Sequence, residues 1–558
     1  MAGGFALVVA LATFDALRRD LWDDALFLLR FANNFVTHGV FAWNVADGPV
    51  HGNTSQLFQL VATAVVGVAP GAYHVTIKLL SGFALVATWV TSAVTLRRLR
   101  EPEPGPLYVL LCGLTAPTVL GIVSSGMETL LALWVLATFL LIVAILFERG
   151  VRSTAAETAM FAAGHVAVYL VRPDMALMTL TLALGVLYEP DRRWFEQRRL
   201  ARLVLAALAA NAVLLGVLAL YYGTAFPLSA YLKNRLLSPY SPRYQDLGIV
   251  GERRHLATWA LLTVPFVAMA LFRRDRLVMG LLGGAALFVV YHQQTTLGIM
   301  GYHGRFFLPA TLPVVLAAAL AWPAFLRTVS GSRVIMLMGL YAAGLALAHE
   351  ASWIEDTTGF YLGRLRWSRY VAYLAPLAVL AAVPAAGRWR NVLVTTIGPL
   401  TAVLVALWAY PLRSLPALDD EVATKRITRR MKAMVGIRKV RKCLPDTQHL
   451  YHSELGVPGV LFPDARVTDL SGLMNPRLTF ERLPFDAICL PDPPEILFLP
   501  HRTHAELNAE ILDSTCIQQF ARPEGIPESS STLFVRRDRL DAFERCTSPS
   551  PKGARPRR

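Results

Sequence analysis

Residues 21–35 read LWDDALFLLRFANNF. A short apolar run meets two adjacent carboxylates, Asp23 and Asp24, and an arginine, Arg30, follows inside an otherwise apolar segment. In a soluble chain an acid at a helix start is an ordinary cap. In a membrane chain the same pair stands at the mouth of a hydrophobic segment, where ionisable groups cost roughly 2.5–3.5 kcal/mol each on insertion scales. Which of these holds depends on the rest of the chain.

Composition points to the membrane. Of 558 residues, 54% are hydrophobic and only 17% charged, and the mean hydropathy is +0.45. Soluble chains run at about 25% charged. Apolar runs of roughly 17–25 residues, the length that spans a bilayer core as a helix, recur along the first three quarters. Nothing alternates like barrel strands, so the spans are read as helices, about 13 in all. The run from Ala2 to Ala16 lacks a basic start and a small-residue cleavage site, and is read as a retained first span rather than a signal peptide. Leu57 to Pro70 is too short to cross comfortably and is expected to be interfacial or re-entrant.

The net charge of +15 would raise nucleic-acid binding in a soluble protein. Here it reads as topology, with no nucleic-acid partner. Arginines cluster in short connections: Arg97, Arg98 and Arg100; Arg149 and Arg152; Arg192, Arg193, Arg198 and Arg199; Arg273, Arg274 and Arg276; Arg327 and Arg333; Arg388 and Arg390. Two hydrophobic spans separate consecutive clusters, so a single cytoplasmic assignment is self-consistent. Arg18 and Arg19 run against it locally. The opposite, outer side then receives Asp23, Asp24, Arg30, His51, Glu128, Arg172, Asp174, Lys233, His303 and Arg305. A polar cavity open to that side is the simplest physical account of so many costly groups on one side.

Individually these motifs are ambiguous. Arg30 lies about two turns beyond the acids, is placed to share a face with one of them, and is a candidate substrate-binding residue. In HGNTSQLFQ, His51, Asn53 and Thr54 form either a substrate-contacting turn or a helix start capped at Thr54 or Ser55. Glu128 stands at a span boundary. Arg172 and Asp174 lie between two spans with almost no loop. Arg172, Arg305 and Lys233 are cations suited to a phosphate at the membrane surface.

Pro411, Pro416 and LDDE end the membrane domain, read as residues 1–411. A basic juxtamembrane linker helix follows (412–442), suited either to an anionic lipid surface or to a solvated lead into the next domain. Residues 443–546 carry short apolar runs between Pro, Asp and Gly, the pattern of a small mixed α/β domain, and 547–558 read as disordered. Cys443, Cys489, Cys516 and Cys546 fall in or beside that domain, on the outer side, where one or two disulfides are expected and spacing leaves the pairing open. No CxxC is present, so no metal site is assigned there.

The order of motifs resembles a family of bacterial multi-spanning glycosyltransferases of the GT-C fold. The similarity rests on DDALFLLRFANNFVTHGVFAWN with HGNTSQLF, then SSGMETLLA, VRPDMALM, YYGTAFPLSAYLK and GYHGRFFLPATLP, and in the outer domain ELGVPGVLFPDARVTDLSGLMNP. Among named groups it is similar to the mycobacterial-type arabinofuranosyltransferases that use a polyprenyl-phosphate sugar donor. The resemblance implies an inverting transferase in the bacterial inner membrane, multi-pass, with its active site and C-terminal domain periplasmic. A glycan, glycolipid or protein would be the acceptor, and membrane lipids would surround the donor's tail. It implies a general base from the first loop, Asp24 with Asp23 as its partner or the reverse, and Arg172, Asp174, Lys233, His303 and Arg305 on phosphate or sugar, with Glu128 positioning. The chain departs from the family at Leu26 (usually Tyr), at Asn53 in a usual G-Y-T-S, and at Asp174 (more often Glu). These positions bear on the sugar, arabinofuranose in the first instance, mannose or another hexose otherwise. No cofactor is assigned; a divalent metal on the acid pair stays open. Two other classes fit parts of the pattern: a polyprenyl-linked lipid transporter or flippase, which needs spans and a basic cavity but no acid pair and often shows inverted repeats not found here, and a membrane-anchored binding protein, for which the loop acids would be dispensable.

Overall fold

A computed structural model describes residues 1–19, 21–99, 103–149, 154–187, 194–233, 249–296, 304–330, part of 333–344, 368–409, 435–481, 483–500, 504–524, 526 and 532–547. His303, most of the basic linker and the C-terminal tail lie outside the described residues.

The helical domain runs α1 Ala2–Ala16, α2 Asp23–His38, α3 Gln56–Val68, α4 Tyr73–Arg98, α5 Pro104–Leu114, α6 Pro117–Ile122, α7 Thr129–Arg149, α8 Ala155–Val171, α9 Met175–Leu187, α10 Trp194–Tyr222, α11 Leu228–Lys233, α12 Ile249–Ala270, α13 Arg276–Thr295, α14 Leu308–Thr328, α15 Ser368–Ala382 and α16 Gly398–Ala409. Local signals set many of the ends. Thr154 and Glu157 close a capping box on α8. Asp275 caps α13, and Gly39, with φ 74°, ends α2. Five helices among the described residues are long and apolar enough to cross a bilayer: Tyr73–Arg98, Thr129–Glu148, Arg198–Tyr222, Arg276–Thr295 and Leu308–Thr328. Shorter apolar helices, α1 and α3 among them, accompany these. With 13 residues and a rise of about 1.5 Å each, α3 falls short of a bilayer core of about 30 Å.

Helix α14 is the hub. Of its apolar window, 89% is buried, against 22% for Arg198–Tyr222. The latter presents Leu205, Val213, Val217 and Leu220 outward, each more than half exposed. Water disfavours such a surface, whereas hydrocarbon accepts it.

Arginines from three of the basic clusters gather around the C-terminal end of α7. Arg98 reaches Glu148 (3.7 Å), Arg199 donates to the Leu146 carbonyl (3.0 Å), and Arg276 lies over Phe147 (5.1 Å). His292 stands near the opposite end of α13 from Arg276. The two arginines that broke the pattern are locally compensated: Arg19 pairs with Asp15 (2.6 Å) and Arg18 lies over Phe14.

The second domain holds α17 Val435–Cys443, β1 His449–His452, α18 Gly456–Leu461, β2 Arg466–Asp469, α19 Pro476–Phe480, α20 Phe485–Cys489, β3 Ile496–Phe498, α21 Ala505–Leu512, β4 Phe520–Ala521, β5 Leu533–Arg536 and α22 Arg537–Thr547. Its sheet has the order β2-β1-β3-β5-β4. The β1 strand pairs in parallel with β2 and β3, with Tyr451 opposite Thr468 and Leu497, while β3–β5 and β5–β4 are antiparallel. Two disulfides form: Cys443–Cys546 joins α17 to α22, and Cys489–Cys516 joins α20 to the turn before β4. The described end of the basic segment differs from a lipid-surface helix. Ile437 and Val440 of α17 are fully buried in the core, so protein rather than lipid covers that apolar face.

Candidate active site at the seam of the two domains

The two adjacent acids do different things. Successive side chains on a helix diverge by about 100°, and Asp23 turns towards the second domain. Its carboxylate accepts the N–H groups of Gly456 (2.9 Å) and Val457 (2.8 Å), the first turn of α18. Free backbone N–H groups at a helix start suit a carboxylate. The approach is so close that a Cβ on Gly456 would sit 1.9 Å from the Asp23 carbonyl oxygen, which requires glycine there. Burial raises the Asp23 pKa to about 6, with the two backbone hydrogen bonds pulling against it and the Asp24 charge adding to it.

Asp24 is left a quarter exposed and pairs with Arg305 Nη2 across 3.1 Å. Arg305 reaches this position because Gly304, with φ 65°, turns the chain tightly against Trp259 just before α14 begins. Its guanidinium lies over Trp22 (4.9 Å) and Phe306 (5.0 Å). The remaining nitrogens, Nε and Nη1, are buried and have no partner among the described residues. Buried donors are rarely left unpaired, so these two mark a place for an acceptor-rich group.

Phe306 links this pair to a second polar cluster. Arg172 donates two hydrogen bonds to Asp174 (3.1 and 2.6 Å), and Asp174 also takes His292 Nε2 (2.9 Å). His292 stacks on Phe306 (5.3 Å), and Arg172 lies 5.8 Å from the same ring. Glu128 is within electrostatic range of Arg172. Lys233, at the end of α11, lies among Asp24, Arg305, Asp469 and Glu454, and burial lowers its pKa. Glu454 approaches Asp23 and Asp24 from the second domain. Burial, followed by the charges of those two acids, pushes its pKa up to about 8.

Other expected substrate groups are spent on structure. Arg30 is buried and donates to the carbonyls of Trp43 (2.7 Å), Gly459 (3.2 Å), Phe462 (2.9 Å) and Ala465 (2.7 Å) and to Asn44 Oδ1 (3.1 Å). It clamps the first loop to the second domain instead of facing the acids: four of its five acceptors are carbonyls, three of them in the second domain. Asn53 closes its own turn, donating to the Ser55 carbonyl (2.8 Å) and accepting the Ser55 N–H (3.1 Å). Ser55 rather than Thr54 caps α3, and Thr54 is exposed. His51 hydrogen-bonds the Thr224 carbonyl through Nδ1 (3.1 Å) and stacks on Tyr222. Burial lowers its pKa to about 4, which makes it a neutral brace between loops. Sequence reasoning missed Glu454, although the ELGVPG stretch was visible, and His292, which looked like one polar residue in a span. Among the described residues no three His, Cys, Asp or Glu side chains converge to hold a metal ion.

Comparison with known proteins adds a fold. The chain resembles the crystal structure of ArnT from Cupriavidus metallidurans bound to undecaprenyl phosphate, with a TM-score of 0.58 at 13% identity over 95% of this chain and 96% of that one. Against the apo form the TM-score is 0.50 at 14% identity over 98% of each chain. At such identities the likeness shows a shared fold, in agreement with the GT-C expectation. No family model matches the chain and no curated protein matches it.

Proposed function

We propose that this protein is an inverting membrane glycosyltransferase that moves a sugar from a polyprenyl-phosphate donor to a cell-envelope acceptor on the periplasmic face. The observation that carries the reading is the Asp24–Arg305 pair with two guanidinium donors beside it that have no partner among the described residues, set in a fold shared with a protein whose crystal structure has undecaprenyl phosphate bound. Shorter apolar helices crossing alongside the five long ones would bring the spans towards 13.

In this reading the donor phosphate takes the free Nε and Nη1 of Arg305, with Lys233 adding charge. Nη2 stays on Asp24 and holds it beside the anomeric carbon. Asp24 accepts the proton of the acceptor hydroxyl as that oxygen bonds to the anomeric carbon. The bond from that carbon to the phosphate oxygen breaks on the opposite face, which inverts the centre. The leaving polyprenyl phosphate keeps the electron pair, and the fixed cations stabilise it. Asp23 is committed to the second domain and supports Asp24 by fixing the start of α2. Arg172, Asp174 and His292 form a rigid wall that positions Phe306 under Arg305. The sugar is arabinofuranose in the first instance, with mannose or another hexose as the alternative.

The test is a transfer assay with purified protein and synthetic polyprenyl-phosphate sugars. Asp24→Asn is expected to lower turnover by about 10²–10⁴-fold without weakening donor binding. Full turnover in that variant, or lipid flipping without sugar transfer in the wild type, would overturn the reading, the latter in favour of a transporter.

A further inference from the structure

A cavity of about 360 Å³ lies at the seam between the first loop and the second domain, with none of Asp24, Arg305, Lys233 or Glu454 in its lining. That volume falls in the range of small-molecule clefts, about 300–1,000 Å³, which concentrate at domain interfaces. One wall is loop residues 43–50. The other comes from β1, β2, α19, α20 and the turn after it.

The seam is rigid at this point. Trp43 Nε1 donates to the Val467 carbonyl (2.7 Å). Asn44 accepts the Val467 N–H (3.0 Å) and donates to its carbonyl (3.2 Å). The walls therefore hold their spacing before any ligand arrives, which lowers the entropy cost of binding.

The charged lining residues are Asp47, Arg466, Asp469, Arg477 and Asp492, with Asn44, Thr468 and Asn475 as neutral polar groups. Each charged group already has partners: Asp469 accepts the N–H groups of Ser471 (2.8 Å) and Met474 (2.7 Å). Arg466 bridges Asp47 (3.0 Å) and Asp492 (2.7 Å), and at the rim Arg477 pairs with Glu481 (3.5 Å). An anionic ligand would have to break the Arg466 pairs, and a cationic one would compete with Arg466 for both aspartates. A neutral ligand rich in hydroxyls does neither. Each hydroxyl both donates and accepts, so it can join carboxylates, amides and guanidinium at once. Val50, Leu478, Ile488 and Pro491 supply apolar surface between these groups, as the C–H faces of a sugar ring need.

One lining residue connects the cavity to the reacting centre. Asp469 lines the cavity and is also in electrostatic range of Lys233 and Glu454, the residues around Asp24.

We propose that this seam cavity is a subsite for a neutral oligosaccharide, holding the acceptor glycan behind the sugar whose hydroxyl reaches Asp24. The assignment of the glycan as acceptor rests on the glycosyltransferase reading above; the binding of a neutral glycan does not.

The experiment uses the full chain in nanodiscs. Ala487 lines the cavity and is exposed on α20, so Ala487→Trp fills the cavity without touching the bonds of the seam. Binding of neutral arabinan and mannan oligosaccharides of two to six residues is measured calorimetrically for the wild type and for Ala487→Trp, with thermal unfolding as a check on folding. Saturable wild-type binding of one series, weakened about tenfold or more in a folded Ala487→Trp variant, is expected. If that variant is unstable, Arg477→Ala at the rim is read instead, with a loss of about threefold expected. Equal affinity in folded variant and wild type, no binding of either series, or binding only of anionic oligosaccharides or peptides overturns the proposal. In the transfer assay the filled variant should raise KM for a hexasaccharide acceptor and leave KM for a monosaccharide glycoside unchanged. A wild type that transfers no sugar yet binds the glycan refutes the catalytic reading and retains the subsite.

Discussion

Asp23→Asn separates the roles of the two acids. In the native protein the Asp23 carboxylate receives two backbone N–H groups at 2.9 and 2.8 Å. Hydrogen bonds to a charged group contribute about 1.5–3 kcal/mol each. Asparagine keeps one acceptor oxygen and turns an NH2 towards the second N–H, so one charge-assisted bond is lost outright. The expected cost is about 1.5–3 kcal/mol, taken from the docking of α18 on α2, because the bond joins those two elements. At 1.4 kcal/mol per factor of ten, the open state becomes about 10–150 times more populated. Hydrogen exchange of the Gly456 and Val457 amides reads this directly, since an opened seam exposes both. The same preparation gives turnover, which should fall by much less than in Asp24→Asn. Unchanged exchange at both amides, together with a turnover loss as deep as that of Asp24→Asn, would refute the division of labour and make Asp23 the base.

Four further outcomes follow from the same contacts. Arg30→Met takes the donor from the Gly459 and Ala465 carbonyls, while the Trp43 carbonyl keeps Asn34 and the Phe462 carbonyl keeps the Ala465 N–H; at about 1 kcal/mol each, the low end for an unsatisfied group, the loss approaches about 2 kcal/mol, to be read as a lowered unfolding midpoint in denaturant. Gly456→Ala should likewise undock the second domain, visible as faster amide exchange in α18, because its Cβ would meet the Asp23 backbone. Glu454 has a folded pKa of about 8 against 4.5 in the unfolded chain, so the folded state holds the proton more tightly. Its stabilisation is therefore full below pH 4.5 and is lost as pH rises towards 8, by roughly 2–4 kcal/mol at neutral pH; Glu454→Gln should flatten that slope in thermal unfolding scans between pH 5 and 8. Replacing Cys443 and Cys546 by serine opens a loop with a sequence separation of 103, and chain-entropy reasoning puts the loss near 4–5 kcal/mol, measurable by chemical denaturation.

The membrane class, the spacing of the basic clusters and the α/β character of the last hundred residues were legible because each is a one-dimensional signal. Apolar run length reports burial in lipid or protein, and charge clusters mark helix ends. Short helices resist this reading. Helix α3 was expected from its apolar run and a cap at Thr54 or Ser55, but nothing local told that it would pack against α2 and α8. The same limit applied to α17, whose basic, periodic sequence suits lipid or protein equally; the choice depended on which surface lay nearby.

The candidate site shows the division most sharply. Sequence alone brought the acids, Arg172, Asp174, Lys233 and Arg305 to one end of the bundle, since helix length and alternation of loops place them there. It assigned Arg30 to the substrate because an arginine inside an apolar helix is costly and asks for a partner. The partners proved to be four backbone carbonyls and one amide, three of those carbonyls more than 400 residues away along the chain. Backbone acceptors carry no residue code, so no sequence pattern announces them. For Asp23 and Asp24 the sequence determined that an acid pair opens α2. Only the docking of Gly456 and Val457 on one side and of Arg305 on the other decided which acid holds the two domains together and which faces Arg305, whose Nε and Nη1 have no partner among the described residues. Two neighbouring side chains on a helix point in different directions, and what each meets there is supplied by distant parts of the chain.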